Sequence, residues 1–496
     1  MLISCTGLSL VSCKTKTGND TSGSSSGGEE EGNNVIEFDA EGNPIVTDDD
    51  PNNPGNNTNS KTNSGKTAST ASGSTTSTPG IIGDITKIKD LKGRHIKIGM
   101  SDWYGKKSFD TEMGKYIKKS MDQIAAKYNC TLEIVSIDGK MSLVLGELAY
   151  GSSPYDILQG NGPHMISPFI KKGYYLPLDG IGIDFNDAKF DKTVVDALTV
   201  RGKHYAVQRS PQGWEKIQTT YMCLYNKRLI TDNLYALQDA GNWTWAEMLK
   251  IAQRIHNPAG NVWGIADNQC QLYNGLVYST GGDWISNSNG NFTFTAGSEK
   301  AFKALEFYQD LATRYNVLKF TPSADQANFR ENKDFREGKV GFIFDYPLRL
   351  WNEGYYKGMT DDYGVLYLPK PSASDSYVKP DNYFFYWGIP VGTTKADEVA
   401  AVLNEFMNPL IPAKQEKTAF KLQMESISRD QQSFNTLSGL ATGTVRGYDA
   451  YVGEFLHWGG WFMKLSDVLE NKLTIRKAVD ENKGPYDLLL KDYFNY

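Results

Sequence analysis

The chain has 496 residues, with 52 Lys and Arg against 58 Asp and Glu, a net charge of −6. All of that excess sits in residues 14–80, which carry four lysines and ten carboxylates. The rest balances at 48 against 48 and offers no basic excess for a nucleic-acid partner. No apolar run reaches about 18 residues, so no helix is expected to span a membrane. Of the 60 aromatic residues only Phe38 lies before residue 81, so roughly four hundred residues can build large cores.

Taken from the N-terminus, the first segment contains Leu10-Val11-Ser12-Cys13, which resembles a bacterial lipobox. Such a motif marks its cysteine for lipidation. Leu2-Ile3-Ser4-Cys5 can be read the same way, and no Lys or Arg precedes the apolar stretch as a signal peptide requires. A start lost from upstream would account for that. Residues 14–80 contain 41 Ser, Thr, Gly or Asn out of 67 and no Leu, Met, Trp or Tyr. That composition cannot offset its chain entropy by burial, and a disordered acidic tether is expected. The five cysteines form no CxxC pair, and no metal site or disulfide framework is expected from them.

From residue 91 the pattern alternates between strand and helix. His95–Met100, Thr131–Ile137 and Tyr155–Gln159 read as strands. Met113, Ile117, Met121 and Ile124 share one helical face, and a short helix is expected near Ser142–Tyr150. Alternation of this kind predicts an α/β fold with parallel strands covered on both faces. Ligands in such folds sit beyond the carboxyl ends of the strands. Here those ends are Ser101-Asp102-Trp103-Tyr104 and Gly160-Asn161-Gly162-Pro163. Further on, Thr219–Asn226 reads as a strand. Thr244-Trp245-Ala246-Glu247 is a capping box that starts a helix. Its apolar stripe makes Trp245 a core residue.

Five runs, in order, resemble the extracellular solute-binding proteins of the sugar-binding type, relatives of maltose-binding protein. They are Asp156-Ile157; Gly202-x-x-Tyr205-Ala206-Val207; Tyr225-Asn226-Lys227-Arg228-Leu229 with Thr244-Trp245-x-Glu247; Phe335-x-x-Gly338-Lys339-Val340-Gly341-Phe342; and Tyr386-Trp387-Gly388-Ile389-Pro390 with the helix Lys395–Met407. The resemblance covers about 91–496. It implies a two-lobed α/β fold whose hinge is crossed three times, near Gln208, Asp345 and Asn408–Pro412. The N-lobe would then comprise 91–208 and 345–408, the C-lobe 209–344 and 413–496. It also implies capture of a solute between the lobes and delivery to the permease of an ABC importer. The setting would be the outer face of a bacterial membrane, reached through the lipid anchor alone. A monomer without cofactor or metal is expected.

A sugar needs flat aromatic platforms for its faces and planar polar groups for its edges. Trp103, Trp214, Trp284 and Trp387 stand in turn-like or strand-end settings. Asn161, Glu215, Asp283 and Asp345 stand beside them or at hinge positions. These eight are the candidate ligand contacts, with Cys13 the candidate lipidation site. No HExxH, GxSxG or metal-spaced histidine pair appears, so a binding protein is favoured over an enzyme. A peptide or polyamine binder of the same fold, a glycan-degrading enzyme with two carboxylates, and a module feeding a sensor remain alternatives.

Overall fold

The computed structural model describes residues 81–494 except 82, 101–111, 138–139, 162–168, 171, 268–270, 289–290, 321–329, 352–354, 382–384, 443 and 447–460. Strands in chain order are β1 (Arg94–Met100), β2 (Cys130–Ser136), β3 (Ile157–Asn161), β4 (Thr199–Val200), β5 (Lys203–His204), β6 (Ala206–Val207), β7 (Met222–Asn226) and β8 (Trp263–Asp267). They continue with β9 (Ile285–Ser288), β10 (Asn291–Phe294), β11 (Leu318–Phe320), β12 (Val340–Asp345), β13 (Tyr363–Leu366), β14 (Lys379–Asp381), β15 (Phe385–Gly388) and β16 (Thr444–Arg446).

Two five-stranded sheets organise the body. One has the order β2-β1-β3-β15-β6, the other β11-β8-β12-β7-β13. Each is parallel but for one strand. In the first, β15 runs antiparallel to β3 and β6; in the second, β7 runs antiparallel to β12 and β13. These two strands are the ones that arrive from the other lobe. Phe385, the first residue of β15, pairs with Asn161, the last of β3; Met222, the first of β7, pairs with Asp345, the last of β12. A chain that enters at the carboxyl ends of parallel strands must run against them. The reversed polarity therefore fixes that both sheets turn their carboxyl edges toward the crossings. The fold is the two-lobed α/β architecture of periplasmic binding proteins, with the hinge crossed three times.

The crossings lie between Val207 and Met222, between Asp381 and Phe385, and between the helices Ala396–Phe406 and Ala413–Ile427. The second differs from the sequence expectation, which placed it near Asp345. Instead β13 pairs with β7, and β14 pairs with β16. The chain thus stays with the C-lobe until Asp381. Every residue of both β12 and β13 is buried, so burial pattern alone could not assign them to different sheets. The N-lobe also begins earlier than residue 91. Ile81 and Ile85 belong to its apolar core, with Ile96, Ile98, Ile117 and Trp387.

The helix Glu112–Tyr128 lays Ile117, Met121 and Ile124 into that core. The helix Trp245–Ile255 buries Trp245, Met248, Ile251 and Ala252. Only half of its capping box forms: the Thr244 hydroxyl accepts the Glu247 N–H at 3.4 Å, while the Glu247 carboxylate accepts from Lys250. One apolar cluster is shared by the lobes, containing Leu158, Tyr175 and Tyr386 of the N-lobe and Tyr221, Phe342 and Tyr346 of the C-lobe.

Candidate ligand-binding site

The region where the two carboxyl edges meet is the candidate site. Its C-lobe wall is built at the ends of β8 and β12 and the start of β7. Tyr221 enters β7 with its ring 5.1 Å from Tyr346 and 6.3 Å from Tyr278. Its hydroxyl accepts from the Asn274 amide at 2.8 Å. The Arg349 guanidinium lies 5.6 Å from the Tyr346 ring centroid and 5.0 Å from that of Tyr355. Tyr221, Tyr346 and Tyr355 are only 0%, 3% and 6% exposed, so their rings are packed into the edge rather than free as platforms for a ligand. The sequence expectation weighed tryptophans alone and passed over these tyrosines, which the structure packs at the edge. The signal available was Tyr221 at the start of an apolar strand and Tyr346 one residue past the end of another.

Asp345 is a correction. It is fully buried and has no capacity left for a ligand. Arg349 Nη1 is 2.8 Å from Oδ1, which also accepts the Tyr346 N–H. The Tyr356 hydroxyl and the Asn332 amide donate to Oδ2 at 2.5 and 2.8 Å. A carboxylate in an apolar interior needs such partners. Burial, then the Asp345 charge, drives the Tyr356 phenol well above its usual range. The role of Asp345 is to fix the tyrosine-rich edge.

Trp284 is also placed otherwise than expected. Its side chain is wholly buried in the C-lobe core, stacked on Tyr273 at 4.4 Å and tilted against Trp461 at 6.1 Å. The indole N–H donates to Asn274 Oδ1 at 3.0 Å. Trp284 thus reaches the edge only at one remove, since Asn274 in turn holds the Tyr221 hydroxyl. Asp283 folds back to accept the Trp284 N–H at 2.7 Å, a turn cap. Trp387 points into the N-lobe core, 2% exposed and edge-on to Phe406. Glu215 is engaged by Arg209 at 2.9 Å and by the Gln212 N–H at 3.1 Å. Asn161 ends β3 and Trp214 lies in the short helix Gly213–Lys216, but neither side chain is among the described features. Trp103 and Cys13 lie outside the described residues.

One further acid was missed. Asp267 ends β8, and its carboxylate accepts the Leu272 N–H at 3.0 Å and the Tyr308 hydroxyl at 2.5 Å. Burial pushes its pKa up to about 6, against the pull of those hydrogen bonds. It anchors the helix Gln271–Ser279, every residue of which is buried. Among the described residues no group of three or more His, Cys, Asp or Glu could hold a metal ion, and no helix is long and apolar enough to cross a membrane.

The family model described as bacterial extracellular solute-binding protein matches residues 119–424. The chain belongs to this family. No curated protein matches it in sequence. Among solved structures similar to this solute-binding protein is the GacH receptor of Streptomyces glaucescens, described unliganded and with acarbose. It has a TM-score of 0.56 and 18% identity, over 81% of this chain and 99% of that one. T. maritima MalE3 with bound maltose gives 0.53 and 18% over 80% and 100%. An ABC substrate-binding protein from Listeria monocytogenes in complex with cycloalternan gives 0.54 and 15% over 80% and 99%. At such identities the likeness is one of fold.

Proposed function

We propose that this solute-binding protein captures an extracellular carbohydrate, an oligosaccharide, between its lobes and delivers it to the permease of an ABC importer. The observation that carries the reading is the meeting of two carboxyl edges at the hinge in a chain of this family. Sugar ligands in the similar structures support the substrate class. Trp103, Asn161 and Trp214 are proposed as contacts from the opposite wall and the hinge. The protein binds without chemical turnover, acts as a monomer, and is held at the membrane by a lipid on Cys13.

Thermal-shift screening of the purified chain against a glycan panel tests the substrate class, because a ligand that binds only the folded state raises its melting temperature. An oligosaccharide is expected to give the largest rise. A rise only with peptides or polyamines would overturn the carbohydrate reading, and consumption of a glycan would overturn the binding-only reading. For the anchor, Cys13→Ala in the bacterial host is expected to release the protein from the membrane fraction. Release by Cys5→Ala instead would move the lipid to that cysteine.

A further inference from the structure

The first and third crossings are fastened to each other by side chains. Gln212 uses its amide as a strand would use its backbone: Nε2 donates to the Ile411 carbonyl and Oε1 accepts the Ile411 N–H, both at 2.9 Å. Gly213, at φ +55°, lets the chain turn there; a Cβ would stand 3.0 Å from Gln423 Oε1 and 3.2 Å from Ile411 Cδ1. Beyond this point Ile217 is already in the C-lobe core with Met424 and Ile427. Before it, Val207 is still in the N-lobe core with Trp387 and Phe406. A rotation of the lobes must therefore turn the chain between Val207 and Ile217.

One ion pair within that stretch spans the Gly213 turn. Arg209 is seated in the N-lobe, its guanidinium 5.7 Å from the Trp387 centroid and 5.8 Å from that of Phe406. Glu215 lies beyond the Gly213 turn on the short helix Gly213–Lys216, two residues before Ile217 of the C-lobe core. Side-chain exposures of 3% and 7% put both charges largely out of water, where salt screens their attraction far less than at the surface. The Glu215 carboxylate also accepts the Gln212 N–H, so the ion pair and the Gln212–Ile411 fastening form one unit.

We infer that the buried Arg209–Glu215 pair is the latch of the hinge, holding the resting angle between the lobes, and that breaking it frees them to rotate. It rests on the fold and its crossings, independent of which solute is bound. Neighbouring Lys216 and Glu416 also pair across the first and third crossings, but with side chains 40% and 26% exposed. A pair so open to water contributes little to holding an angle. It is the internal control.

The test is a spin–spin distance measurement on the full chain. Nitroxides are attached through a keto amino acid at Gln123 and Glu306, both exposed, one in each lobe, so native cysteines stay unlabelled. Glu215→Gln is expected to shift or broaden the interspin distribution beyond the wild-type width, and Lys216→Ala to leave it unchanged. If Glu215→Gln does not fold, Arg209→Lys, which keeps the charge but not the planar fork, is expected to broaden the distribution. A folded latch variant with the wild-type distribution would overturn the inference. So would a Lys216→Ala variant that shifts as far as Glu215→Gln. Because no ligand is added, the outcome is separate from that of the glycan screen.

Discussion

At the scale of single residues, burial decides what a side chain can do. Trp284 follows two glycines and an aspartate, a setting that reads as an exposed loop. Yet its ring is packed by Tyr273 and Trp461 and its N–H is held by Asn274. Local sequence does not say which way a ring turns; that depends on one helix close by in the chain, which carries Tyr273, and one far along it, which begins at Trp461. Trp284→Ala is therefore expected to lose about 3–5 kcal/mol of stability, like a core Trp, measured by urea denaturation. Its effect on ligand affinity, corrected for the folded fraction, should be the smaller one. Loss of ligand at unchanged stability would return Trp284 to the cleft.

Asp267 makes the second prediction. Its folded pKa of about 6 lies above the ordinary carboxylate value of 3.8. The native state thus binds the extra proton, and this group's contribution is fully present below about pH 4 and lost as pH rises through about 6. Two pKa units correspond to about 3 kcal/mol. Stability of the wild type relative to Asp267→Asn should accordingly decline between about pH 4 and 6. A difference between the two that is flat across that window would contradict it.

At the scale of elements, the strands of the first sheet were legible because each is a short apolar run between turn signals. The helix Glu112–Tyr128 was legible from its 4, 4, 3 spacing, and the helix at Trp245 from its cap. What sequence could not show was to which sheet a buried strand belongs. Tyr363–Leu366 follows β12 so closely in the chain that a crossing before it was plausible; pairing with β7, a non-local event, decides otherwise. Close contacts between elements are likewise invisible in one dimension. Gly264 of β8 lies under the helix Trp245–Ile255, where a Cβ would stand 2.6 Å from the Ala252 carbonyl oxygen. Backbone cannot yield as a side-chain tip does, so Gly264→Ala should cost about 1–3 kcal/mol by overpacking. A urea midpoint equal to the wild type's would show that the helix rides over the methyl at no cost.

At the scale of the molecule, three crossings make one hinge, and strand polarity shows which edges face it. Of the eight side chains expected at the cleft from sequence, Asp345, Trp284, Trp387, Asp283 and Glu215 have structural partners: Asp345 at the tyrosine-rich edge, the two tryptophans in the two cores, Asp283 capping a turn, and Glu215 paired with Arg209. The fold could be read in advance because it is written in periodicities and ordered motifs. The site could not, because a cleft between lobes is assembled from strand ends far apart in the chain, and a ring at a strand end can turn into the core as readily as toward a ligand.

A carbohydrate captured between the lobes is held by both at once. Hydrogen exchange of the full chain, with and without the glycan that gives the largest thermal shift, tests it most directly. Protection is expected to rise together at the two facing edges, near 157–161 and 385–388 in the N-lobe and near 221–222 and 345–349 in the C-lobe. Protection confined to one lobe, or appearing only away from both edges, would contradict it.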